Sequence, residues 1–240
     1  MDGSADISYI IRDQQRMQRA RNYFHWQARL VRPHLGARVL EIGCGVGNFT
    51  RHLLDRELVV GIDVEGECLA ELDRNFGHRG NLIAERMDIL DDAFAALGEY
   101  RIDSVVCLNV LEHVQDDHRA LVQIASVLPR AGRLVLMVPA FGALYGPIDS
   151  RLGHFRRYSK ASLAALAAAE GYRVVRLSYM NSIGFFGWWF NAHILKKEEQ
   201  SEAQIAVFDS LMVPVISRME KLLTPPFGQS LLAVLAKEGG

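Results

Sequence analysis

Between residues 38 and 180 the chain alternates short, mostly apolar runs with helical segments. The runs are RVLEI (38–42), LVVGIDV (58–64), NLIAERMD (81–88), IDSVVCLNV (102–110), RLVLMVP (133–139) and YRVVRLSYM (172–180). A strand that is apolar on both faces must be covered on both, so this alternation predicts an α/β domain with a doubly wound, mostly parallel sheet. Helices are expected over 50–55, 68–76, 119–128 and 161–170. Ser159 is placed to cap the last of these and Gly171 to stop it. A seventh run, QSLLAVLAK (229–237), reads as a final strand. The 240 residues suit a single domain spanning 1–240 that carries one insertion.

Outside the alternation, residues 1 to about 12 read as a loose leader and 13–35 as an N-terminal helix. Residues 183–227 read as a helical insertion before the last strand. It holds an aromatic block, IGFFGWWF (183–190), a charged run, KKEEQSE (196–202), and a stripe of Ile205, Phe208, Met212, Val215, Met219 and Leu222. Pro214 is expected to kink that helix and Pro225–Pro226 to end it. The stripe is read as core packing, with a homodimer or membrane-surface face as the alternative. The aromatic block is either core filling or the wall of a ligand pocket.

Charge and cysteine usage narrow the partners. Lys plus Arg number 27 against 28 Asp plus Glu, a net charge of -1, which gives no general field for nucleic acid. Cys44, Cys68 and Cys107 are odd in number and form no C-x-x-C pair, which argues against disulfides and structural zinc. The N-terminus has no secretory apolar core, and the most apolar stretch, 183–195, is shorter than the ~20 residues of a transmembrane helix. The expectation is a cytoplasmic protein.

The first run leads into Glu41-Ile42-Gly43-Cys44-Gly45-Val46-Gly47-Asn48. Glycines at the end of a buried strand let the chain turn sharply and let a ligand approach the backbone, at the edge where open α/β sheets bind ligands. Asp63 ends the second run, where a carboxylate can accept both hydroxyls of a ribose. The glycines fall at 43, 45 and 47 with Asn at 48, which departs from the G-x-G-x-x-G of dinucleotide sites. Glu41 would repel a pyrophosphate but suits a cofactor carrying an ammonium and a sulfonium. A nicotinamide dehydrogenase is therefore disfavoured.

With these features the stretch Val39–Gly47 resembles the first motif of the class I S-adenosylmethionine-dependent methyltransferases. The resemblance implies a Rossmann-like methyltransferase fold of seven strands, the last inserted antiparallel, and S-adenosylmethionine as cofactor. It implies cofactor binding by Glu41, Gly43, Cys44, Gly45, Gly47, Asn48, Asp63, Val64, Asp88, Ile89 and Asn109, with Asp88 at the adenine and the LNVLEHV segment (108–114) on the methionyl side. LEHV and GPIDSRLGHFRRYS (146–159) are similar to the small-molecule branch that includes ubiquinone-type O-methyltransferases.

The acceptor is then a small molecule, anionic or partly apolar, methylated on oxygen or nitrogen. His154 and His113 are the candidate general bases, each against the alternative of a structural histidine. Tyr145, Arg157, Tyr158, Trp188 and Trp189 are expected to line the acceptor site beneath a lid formed by 141–158 and 183–227. Arg151, Arg156 and Arg157 are either a clamp for an anion or a solvated set paired to carboxylates. Asn109 and Glu112 are held evenly between site and helix cap, and Asp63 and Asp88 have the same capping alternative. No carboxylate–histidine set shows metal-ligand spacing, so no metal is expected. A catalytically idle cofactor-binding scaffold is the alternative function.

Overall fold

Every apolar run is a strand in the computed structural model, which describes residues 7–195, 199 and 201–238. The strands are β1 (Arg38–Ile42), β2 (Leu58–Asp63), β3 (Leu82–Arg86), β4 (Ser104–Leu108), β5 (Arg133–Pro139), β6 (Tyr172–Met180) and β7 (Ser230–Lys237). They form one sheet in the order β3-β2-β1-β4-β5-β7-β6, in which only β7 runs antiparallel to its neighbours. β1 and β4 are adjacent, with connections leaving to opposite sides. Such a switch point opens a crevice beyond the strand ends, where doubly wound sheets bind ligands.

Side chains alternate across the sheet and build two cores. On one face Leu40, Val60, Val105 and Leu134 pack with Leu121 and Ile124 of the helix Asp117–Val127 and Leu163 and Leu166 of the helix Lys160–Ala169. On the other, Val39, Val59, Val106 and Val135 pack with Trp26 and Val31 of the helix Arg21–Val31 and Val213 and Ile216 of the helix Val213–Leu222. The second core thus joins the N-terminal segment to the insertion. In chain order the α-helices are α1 (Ile7–Met17), α2 (Arg21–Val31), α3 (Gly66–Phe76), α4 (Asp117–Val127), α5 (Pro147–Arg151), α6 (Lys160–Ala169), α7 (Ser182–His193), α8 (Glu202–Val207) and α9 (Val213–Leu222).

Several expectations are corrected. The N-terminal helix is two helices, and α1 begins at Ile7, inside the expected leader, whose residues 1–6 lie outside the described residues. The chain breaks at Ala20, which offers α2 no side-chain cap. The cap comes from the insertion instead: the Asn22 and Tyr23 N–H groups donate to the Asp209 carboxylate at 3.1 and 2.8 Å. That carboxylate is buried. Residues 50–55 form only a tight 3-10 turn, Thr50–His52. Of the charged run, 196–198 and 200 lie outside the described residues.

The stripe on the insertion helix fails as core packing. Ile205 is buried, but Val215, Met219 and Leu222 are 52%, 57% and 83% exposed. A π-turn at Phe208–Met212, just before Pro214, is the cause. It adds one residue to the turn and rotates everything after it by about 100°. Val213, Ile216 and Ser217 therefore face the core in place of the predicted residues. Among the described residues no helix is long and apolar enough to cross a membrane.

Candidate active site

One cavity of about 980 Å³ opens at the switch point and runs from the glycine loop to the insertion. At the first end, the Gly43 and Cys44 N–H groups donate to Ile62 O at 2.8 and 3.1 Å, folding the loop back onto β2. Gly43 and Gly45 have φ of +72° and +51°, and side chains there would run into Val110 and Gln14. The loop is thus bare backbone because nothing larger fits.

Two carboxylates face this end. Asp63 accepts the Gly45 N–H at Oδ2 (2.8 Å) and the Glu65 N–H at Oδ1 (3.0 Å), leaving each oxygen a lone pair for a hydroxyl. Its carboxyl is raised above the usual range by burial, opposed by those N–H groups. Glu41 is 5% exposed, and its Oε2 has no hydrogen-bond partner. Burial, with the nearby Asp63 charge adding, pushes the Glu41 carboxyl up to about 8. A buried carboxylate with one oxygen unpartnered at a ligand cavity is a counterpart that a cationic ligand would satisfy. Asp88, Ile89, Val64, Cys44, Asn48 and Asn109 also border the cavity. Asp88 caps its own turn as well, accepting the Leu90 N–H at 2.8 Å. Gly45 and Gly47 shape the loop without bordering the cavity.

Burial and hydrogen bonding build the far end from two loops. The Phe155 N–H donates to Glu112 O at 2.8 Å, clamping the segment after β4 to the segment after α5. Between them the His113 and His154 rings meet edge to face with centroids 4.6 Å apart. Asp149, wholly buried, takes the His154 ring at Nδ1 (2.8 Å) and Arg157 through Nε (2.8 Å) and Nη2 (3.0 Å). Against the cost of burial, the His154 hydrogen bond and the Arg157 guanidinium hold the Asp149 carboxyl below its usual range. Glu112 is 1% exposed, and burial pushes its carboxyl up to about 7 against the neighbouring His154 charge. Burial and the His154 charge lower His113 to about 4, so it is a neutral imidazole. Arg157 also lies over the Trp188 ring, 5.0 Å from its centroid.

His113, His154, Arg157 and Trp188 all border the cavity. Three predicted lining residues do not. Tyr145 is exposed, and its hydroxyl donates to His154 O at 2.7 Å. Tyr158 is buried away from the cavity, donating to Asp117 Oδ2 at 2.8 Å. Trp189 turns outward and stacks on His193, because neighbouring helical positions point about 100° apart. Of the two readings of the arginines, the structure has the paired one: Arg157 is engaged by Asp149, Arg156 by Asp117 and Arg151 by Glu199. The aromatic block is both things at once, since Phe185 packs on Phe141 and Phe227 while Trp188 and Phe190 face the cavity.

Sequence reasoning missed the roof. Asp13, Gln14 and Met17 of α1 border the cavity, and the Val46 N–H donates to Gln14 Oε1 at 3.2 Å. It also missed that Glu112, His113 and His154, which show no ligand spacing along the chain, come together in the fold.

The doubly wound sheet with its antiparallel seventh strand, the bare glycine turn and the two carboxylates beside it are the framework of the class I S-adenosylmethionine-dependent methyltransferases. The chain belongs to the methyltransferase-domain family, whose profile matches residues 14–177. It is 31% identical over 114 residues to the ubiquinone biosynthesis O-methyltransferase of Leptothrix cholodnii, covering 47% of this chain and 48% of that protein. It is 29% identical over 139 residues to the protein of the same description from Paracidovorax citrulli, covering 58% and 52%. The chain thus spans about half the length of these curated relatives. Among solved structures, it superposes on an S-adenosylmethionine-dependent methyltransferase from Archaeoglobus fulgidus with a TM-score of 0.61, at 19% identity and over 90% and 94% of the two chains. It also superposes on a chain from the complex of the Haloferax volcanii Trm112 methyltransferase activator with a methyltransferase, with a TM-score of 0.63, at 18% identity and over 97% and 96%. These two likenesses speak to the fold.

Proposed function

We propose that the chain transfers a methyl group from S-adenosylmethionine to a hydroxyl of a small, partly apolar acceptor. The observation that carries this reading is the continuity of one cavity from Asp63 to the Glu112–His113–His154 wall. Its donor set fits the cofactor: Asp63 for the ribose hydroxyls, Asp88 and Ile89 for the adenine, and Glu41 with the loop from Gly43 to Asn48 for the charged amino-acid end. Bound there, S-adenosylmethionine supplies an already activated methyl group.

The rest falls to the chain. Trp188, Phe155, Leu152 and Ile148 offer an apolar wall beside the histidines, which suits an aromatic or aliphatic body carrying a polar reacting group. α1 and α7 cover the cavity and exclude water, so holding the reacting atoms in line can supply several kcal/mol of the barrier. A hydroxyl must lose its proton, and it arrives at the histidine cluster. His154, held at Nδ1 by Asp149, turns its other nitrogen toward the acceptor, and His113 stands beside it. An oxygen acceptor is also what the curated relatives' names state for those proteins.

The test is incubation with methyl-labelled S-adenosylmethionine and parallel panels of phenols and catechols, amines, and nucleic acid. Label in the hydroxyl panel supports the reading. Transfer to amines or nucleic acid alone, or cofactor binding with no transfer to any panel, contradicts it.

A further inference from the structure

We infer that the acceptor carries a positive charge, an ammonium group on the apolar body that bears the reacting hydroxyl, and that Asp13 of α1 receives it. The inference rests on the proposed methyl transfer and narrows its substrate class.

The walls of the cavity decide which sign of charge it admits. Among the described residues that border it there is no lysine and a single arginine, Arg157. That guanidinium is already matched to the wholly buried Asp149, which also takes the His154 ring. Carboxylates outnumber these cations. Glu41, Asp63, Glu65 and Asp88 lie at the proposed cofactor end and Asp209 caps α2, which leaves Asp13 and Glu112 at the far end. Glu112 Oε2 is buried with no hydrogen-bond partner. An acceptor bearing a carboxylate would bring a like charge into a space of low dielectric, where the repulsion is weakly screened. An ammonium would find its counter-charge there.

The helix α1 aims Asp13 at that end. Tyr9, four residues earlier on the same helical face, is fully buried with the Arg151 guanidinium 4.2 Å from its ring centroid. Arg151 ends α5, and the chain runs from there to His154. This face of α1 is therefore turned to the histidine wall. Gln14, about 100° further round the helix, faces the glycine loop and takes the Val46 N–H. Asp13 makes no hydrogen bond or ion pair among the described residues. Burial raises its carboxyl, opposed by the charges of Arg16 and of His154. An ammonium held against Asp13 keeps its proton and is no nucleophile, so the methyl group still goes to the hydroxyl beside His154.

The experiment measures binding by calorimetry to the full chain saturated with S-adenosylhomocysteine, which has no methyl group to transfer. Three catechols of similar size are compared: dopamine with its ammonium, neutral ethylcatechol, and dihydroxyphenylacetate with its carboxylate. Dopamine is expected to bind at least about tenfold tighter than ethylcatechol, and dihydroxyphenylacetate at least about tenfold weaker, a ranking that needs no variant to fold. Asp13→Asn should bring dopamine and ethylcatechol within about threefold of each other, and Asp13→Glu, which keeps the charge, should preserve the ranking. Equal binding of the three, tighter binding of the carboxylate, no binding of any at millimolar concentration, or a ranking unchanged in Asp13→Asn overturns the inference. So does a loss of S-adenosylmethionine affinity in Asp13→Asn as large as the loss of dopamine affinity, which would make Asp13 a cofactor residue. Methyl-labelled S-adenosylmethionine, given with the same catechols, separates the two readings. Charge-ranked binding without an O-methylated product faults methyl transfer alone, and O-methylation of ethylcatechol without the ranking faults the charge preference alone.

Discussion

Glu41 immediately precedes the glycine turn and Asp63 reaches the same turn across the sheet through the Gly45 N–H, and the two differ in their surroundings. Asp63 holds the Gly45 and Glu65 N–H groups and keeps spare lone pairs facing the cavity, which the proposed function assigns to the ribose hydroxyls. Asp63→Ala is expected to weaken S-adenosylmethionine binding by about 1.5–3 kcal/mol, since charge-assisted hydrogen bonds to hydroxyls are worth that much. Glu41 is tested by pH. Folding holds its proton up to about 8, whereas an unfolded glutamate loses it near 4.5. The folded state therefore binds more protons across that window, so this group's contribution is full below 4.5 and is lost as pH rises through 8. Chemical denaturation of the cofactor-free chain should show Glu41→Gln more stable than the parent at pH 8 by at least about 1 kcal/mol, and no more stable at pH 4.5. Parallel pH dependences would remove Glu41 from this role. Both residues were legible in the sequence, Glu41 because strand, carboxylate and turn are contiguous there and Asp63 because it ends an apolar run. Asp149 was visible only as one member of a basic stretch, because its pairing with His154 and Arg157 depends on a loop closing on itself.

At the scale of elements, periodicity identified β1 and β5 with their full bounds, since buried strands are continuous apolar runs, and also the half-exposed edge strand β6. It misjudged the helix after 204 because a π-turn shifts the face without leaving a mark in the apolar pattern. The same turn presents Asp209 to the start of α2. Asp209→Ala should cost about 1–3 kcal/mol, the range for losing a buried acceptor that caps a helix. Hydrogen exchange should quicken first at Asn22 and Tyr23; uniform destabilisation would argue against a local cap. α7 offers a paired test. Trp188→Ala should lower methyl transfer at least about tenfold while S-adenosylmethionine affinity changes less than about tenfold, whereas Trp189→Ala, one position along and facing outward, should do neither. Equal effects at both positions would show that α7 matters through folding and not as a cavity wall.

Across the whole molecule, the order β3-β2-β1-β4-β5-β7-β6 puts the glycine loop and the end of β4 side by side, and this placement makes a site out of segments distant in sequence. The alternation of runs and helices made the sheet legible, and the resemblance of the first motif supplied the antiparallel last strand. The enclosure was not legible. α1 over the loop, α2 against α9 and α7 against the far end of the cavity are long-range packings whose residues carry no local signal of their partners. The assembled molecule is expected to hold a single cofactor site per chain, organised around Asp63. Calorimetric titration of the chain with S-adenosylmethionine tests that claim most directly. Binding of one molecule per chain, weakened about ten- to a hundredfold by Asp63→Ala, is the predicted result; no binding heat, or an affinity that Asp63→Ala leaves unchanged, would contradict it.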